Sequence, residues 1–123
     1  MAKKRKGGSS EKLCDAIVKG MLEKKAADIL VMDLRKVKNA VADFFIICSG
    51  GSDKQLDAIS ESIDEEVYKA TKENPWHVEG KTNSDWILLD YINVVGHVFY
   101  KESRGFYDIE ELWSDADRTN IPS

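Results

Sequence analysis

The chain has 123 residues, of which 42% are hydrophobic and 33% charged, with a formal net charge of −4 and only two prolines. That length suits a single hydrophobic core, and the composition is that of an ordinary globular protein rather than a disordered chain. No apolar run approaches the ~20 residues of a membrane span and nothing resembles a secretory leader, so a cytoplasmic globular protein with no membrane contact is expected.

The charge is unevenly divided. Lys3, Lys4, Arg5 and Lys6 open the chain, and without those four cations the formal charge of the rest goes from −4 to −8. An acidic body is repelled by nucleic-acid phosphate and suited to a basic protein partner. Residues 1–10 read as a disordered basic tail capable of at most weak RNA contact. Residues 11–116 read as one folded domain and 117–123 as a polar C-terminal end.

In chain order, Leu13, Cys14, Ile17, Val18, Met21 and Leu22 recur at three and four, which predicts a helix over residues 10–25 capped by Ser9 or Ser10. "DILVMDL" and "DFFIICS" read as strands joined by the polar link "RKVKNAVA". The continuous apolar run from Phe44 to Cys48 points to an inner strand with some parallel pairing. Ser52 and Gln55 are spaced as a capping box for a second helix with the stripe Leu56, Ile59, Ile63, Val67 and Ala70, ended by "ENP". A short strand at "WHVEG", a polar turn at "KTNSD" and a hairpin of "WILLDY" with "VVGHVFY" follow, Asn93 supplying the turn chemistry. "SRGFYDIEELW" reads as a loop entering a last short helix. The expected fold is a single α/β domain, a mixed sheet of about five strands with packed helices.

The stretch Gly50, Gly51, Ser52 and Asp53, at the end of an apolar strand and the start of a helix, has the layout of a phosphate-binding turn. It matches neither Gly-x-x-x-x-Gly-Lys-Ser/Thr nor Gly-x-Gly-x-x-Gly. A nucleotidyltransferase using Gly50, Gly51 and Ser52 would need carboxylates converging on magnesium, and the expected Asp-x-Asp is missing. The simpler reading of the four residues is structural, a strand-to-helix turn with a favourable charge at a helix N-terminus. No Gly-x-Ser-x-Gly elbow is present, and His97, inside an apolar strand, reads as a packed histidine. Cys14 and Cys48 lie in apolar patterns and, with His77 and His97, fit no zinc spacing, so reduced buried thiols, no metal and no cofactor are expected.

Read together, "DFFIICSGGSDKQ", Val78 to Gly80, "DWILLDY" and "VVGHVFYKESRGFYDIEELW" resemble the ribosomal silencing factor family, related to the plant protein Iojap. Gly51 stands where that family often has threonine, and Gly96 where a β-branched residue is usual. The resemblance implies a nucleotidyltransferase-like topology without the chemistry, and no catalytic residues. It further implies binding to a basic protein on the intersubunit face of the large ribosomal subunit, the fourteenth of its series, which blocks small-subunit joining and represses translation under nutrient limitation. The period of two in "WILLDY" puts Trp86, Leu88 and Asp90 on one face and Ile87, Leu89 and Tyr91 on the other. Pattern alone leaves open whether the Trp86 face is covered by the terminal helix carrying Tyr107 and Trp113 or is free for a partner. The resemblance favours a partner site, with Trp86, Leu88, Asp90, Tyr91, Glu79 and Asp85 as its residues. A homodimer is compatible with the sequence.

Overall fold

A computed structural model describes residues 7–80 and 85–122. Their elements are α1 (Gly7–Glu23), β1 (Ala27–Asp33), β2 (Phe44–Gly50), α2 (Asp53–Thr71), β3 (His77–Glu79), β4 (Trp86–Asp90), β5 (Val94–Tyr100), α3 (Lys101–Tyr107), α4 (Ile109–Leu112) and β6 (Asp117–Ile121). The strands form one mixed sheet in the order β3-β4-β5-β2-β1-β6. β2 and β5 run parallel, Phe44 facing Val94 through Gly50 facing Tyr100. The other pairs are antiparallel. β2 is buried along its whole length, as its unbroken apolar run requires of a central strand.

Alternation along the strands divides the core into two layers. On one face, Phe44, Ile46, Cys48, Ile87, Leu89, Val94 and Val98 meet the stripes of α1 and α2, including Leu13, Ile17, Met21, Leu56, Ile59 and Ile63. On the other, Met32, Phe45, Ile47, Val95 and Phe99 pack with Leu34, Ile109 and Ala116, and Trp86, Leu88 and Trp113 lie against them partly buried. Two long helices cover the first face, whereas the second has only a loop and two short helices.

α1 and α2 cross closely at Gly20, where a Cβ would lie 2.7 Å from the Cα of Ile63. The Ser62 hydroxyl donates to the Gly20 carbonyl at 2.8 Å in the same contact. Half of the expected capping box forms at the start of α2: Ser52 Oγ accepts the Gln55 N–H at 3.1 Å, while the Gln55 side chain accepts from the Gly51 N–H and not from Ser52.

Several expectations need correction. α1 begins at Gly7, so residues 7–10 are helical; the rest of the expected tail, residues 1–6, lies outside the described residues. Ser10 is inside the helix, and its hydroxyl donates to Asp43 Oδ2 at 2.7 Å, tying α1 to the β1–β2 loop. The chain passes straight from β5 into α3. Residues 117–121 form a sixth strand along β1, from Asp33–Asp117 to Ile29–Ile121, so the polar end completes the sheet. The expected turn at "KTNSD" falls mostly outside the described residues. In the β4–β5 hairpin, the residue at positive φ is Ile92, at 76°, and not Asn93.

Candidate protein-binding site

The glycine turn is closed on itself. The Gly51 N–H donates to Gln55 Oε1 at 2.8 Å, and the Gln55 side-chain amide donates to the carbonyls of Lys24 and Lys25. At Gly50 a Cβ would sit 2.8 Å from Leu56 Cδ1, so the leucine side chain would have to shift, whereas at Gly51 the nearest atom is an ordinary 3.7 Å away. Neither glycine has the positive φ that would make the turn itself depend on glycine. Beside the turn, Arg104 donates to Ser49 Oγ at 2.9 Å and to the Asp28 carbonyl at 2.7 Å, and is paired with Glu110 at 2.8 Å. The strand ends are thus occupied by the chain's own polar groups. Among the described residues no group of three or more His, Cys, Asp or Glu could hold a metal ion.

The second face of the sheet carries a continuous aromatic cluster. Trp86 stacks on Phe99, with ring centroids 5.0 Å apart, and lies 4.8 Å from Tyr107. Its indole Nε1–H donates to His97 Nδ1 at 3.1 Å. Because Nδ1 accepts, His97 is the neutral tautomer protonated at Nε2. It is 4% exposed, and Nε2 has no hydrogen-bond partner among the described residues. Burial pushes its pKa down to about 3. Phe45 meets the imidazole edge-on at 4.7 Å, and Trp113 meets Phe45 at 6.0 Å. Both sequence alternatives therefore apply in part: Tyr107 and Trp113 support this face, yet Trp86 and Leu88 remain only partly buried.

The residues expected at the site separate into three groups. Trp86, Leu88 and Asp90 share the second face, and the register that pairs Glu79 with Leu88 and His77 with Asp90 adds Glu79 beside them. His77 Nε2 and Glu79 Oε2 are in direct contact on the edge strand. Asp85 adjoins the face but is engaged within the chain: it accepts the Ser103 hydroxyl at 2.9 Å and the Tyr107 hydroxyl at 3.3 Å, holding Tyr107 over Trp86. Its negative charge raises the Tyr107 pKa. Tyr91 does not belong to the site. It is 2% exposed in the opposite layer, under the two long helices, because the alternation of β4 continues through it. Sequence reasoning missed His97 as the indole's partner, though its register opposite Leu88 follows from pairing the two strands. It also missed the exposed apolar residues Val41, Trp76 and Ile92, which lie in connecting segments with no periodic pattern to group them.

A family model described as "Ribosomal silencing factor during starvation" matches residues 8–123. The chain is 42% identical over 103 residues to the ribosomal silencing factor RsfS of Bacillus subtilis, covering 80% of this chain and 82% of that one. It is 34% identical over 110 residues to the chloroplastic protein Iojap of Zea mays, covering 87% of this chain and 46% of that longer one. A crystal structure of a Chromobacterium violaceum protein superposes with a TM-score of 0.79 at 26% identity, over 93% of this chain and 90% of that one.

Proposed function

This chain belongs to the ribosomal silencing factor family, and on that premise we propose that it is a cytoplasmic, non-enzymatic translation repressor that occupies the large ribosomal subunit and keeps the small subunit from joining. The observation that carries the reading is the half-open aromatic face around Trp86, with Leu88 beside it and the carboxylates of Asp90 and Glu79 at its rim. A large aromatic group in a desolvated centre with a charged rim is the usual arrangement of a protein interface. The acids suit a basic partner, a ribosomal protein on the intersubunit face, the fourteenth of the large-subunit series. The family model's description, silencing during starvation, supports repression under nutrient limitation.

Occupancy is sufficient for the effect. A domain of this length has a radius of gyration of about 14 Å, so it fills a gap that two touching subunits cannot leave open. The closed glycine turn supports a mechanism without phosphate chemistry.

Co-sedimentation with purified bacterial large subunits, followed by a subunit-joining assay, tests the proposal. The protein should pellet with large subunits and lower the yield of joined ribosomes. Trp86→Ala should weaken binding about tenfold or more at unchanged fold, checked by circular dichroism. Failure of the intact protein to pellet with large subunits would sink the reading.

A further inference from the structure

At the end of the sheet where β4 turns into β5, Val41, Trp76 and Ile92 are 71%, 72% and 53% exposed. With Asp90 they line one groove of about 390 Å³. Singly exposed apolar residues are ordinary; three large ones converging on one groove mark a binding surface. The groove is built by backbone bonds: the Trp76 N–H donates to the Asp90 carbonyl at 2.8 Å, and the Asp43 N–H to the Asn93 carbonyl at 2.6 Å.

Ile92 is its most informative residue. It sits at φ 76° in a γ-turn closed by the Asn93 N–H on the Tyr91 carbonyl at 2.9 Å, and its own N–H donates to Asp90 Oδ1 at 2.7 Å. A β-branched residue is strained at that φ and glycine is not. The isoleucine side chain belongs to neither core layer, so folding receives little in exchange for the strain. Strain without a folding benefit points to a role in binding.

We infer that this groove is a second anchor of the docking surface centred on Trp86, taking an aliphatic or aromatic side chain of the basic protein partner while Asp90 receives an adjacent lysine or arginine. The inference rests on the function proposed above. Continuity supports it: Asp90 shares the face of Trp86 and Leu88 and lies four residues along β4, about 14 Å away. A circular footprint of the standard ~800 Å² has a radius of about 16 Å, so a partner centred on Trp86 reaches the groove. The single carboxylate among apolar walls suits a protein cation beside an apolar side chain and repels RNA phosphate.

The test uses Trp76→Ser and Ile92→Gly in the full chain, with affinity for purified large subunits and for the isolated fourteenth protein read by anisotropy. Each variant should bind about tenfold more weakly or worse. Ile92→Gly should do so with an unchanged or higher Tm, because it relieves the positive φ while deleting the side chain; loss of binding without loss of stability separates anchoring from folding. If both variants bind within twofold of the intact protein while Trp86→Ala is impaired, the groove is empty in the complex, and this inference falls while the proposed function stands. If the intact protein does not bind at all, both fall. A homodimer in sedimentation that Trp76→Ser dissolves, or competition for the groove by a short RNA, would assign it to a different occupant and overturn the inference.

Discussion

His97 shows how one buried residue can serve the fold and the site together. Its Nδ1 accepts the Trp86 indole N–H, and its ring fills the space between Phe45 and Phe99. Keeping it neutral has a consequence for stability. The folded pKa of about 3 lies below the ordinary 6.5, so the unfolded chain binds the extra proton between those values. The contribution is fully present above pH 6.5 and is lost progressively as pH falls toward 3. By linkage it amounts to about 5 kcal/mol at most. Chemical denaturation across that window should show stability falling with acid, and His97→Gln should flatten the profile; an unchanged slope would mean that His97 titrates normally. The sequence marks His97 as a packed histidine, which it is. It does not show that the indole is its partner, because that contact joins residues 11 apart on two strands.

At the scale of elements, β6 is the least expected. Its residues Asp117–Ile121 are exposed apart from the partly buried Ile121, so they carry none of the apolar alternation by which a strand is read. The backbone supplies what the side chains do not, pairing five residues with β1. Ile121 adds packing against the first core layer, and Arg118 donates to the Glu110 carbonyl at 2.7 Å. Ending the chain after Ala116 should cost about 2–3 kcal/mol in urea unfolding and, by uncovering the β1 edge, promote association at high concentration. Equal stability would reduce β6 to an ornament of the sheet. The helices behaved differently. α2 and its Ser52 cap follow directly from periodicity and spacing, because both signals are local. Periodicity also assigns α1 its buried stripe, but its start at Gly7 lies in polar residues that no stripe extends to.

For the whole molecule, the net charge of −4 and the acids beside Trp86 predict steered association with a basic partner. The association rate with large subunits should fall about tenfold or more between 50 and 300 mM salt, with the dissociation rate changing less. A salt-independent rate would show that the acidic body does not guide the encounter. The sequence by itself determined the α/β class, the inner strand, the stripes of both long helices, the two faces of β4 and the family, because each is written in local spacing or in an ordered set of motifs. Only the tertiary structure decided which of those faces is left open. Two helices crossing at Gly20 seal the first layer and bury Tyr91, while α3 and α4 are too short to seal the second. The structure alone also brought Val41, Trp76 and Ile92 to one groove. Periodicity states which side of an element is apolar; what covers that side depends on how closely distant segments can approach, and that is set by the packing of the whole chain.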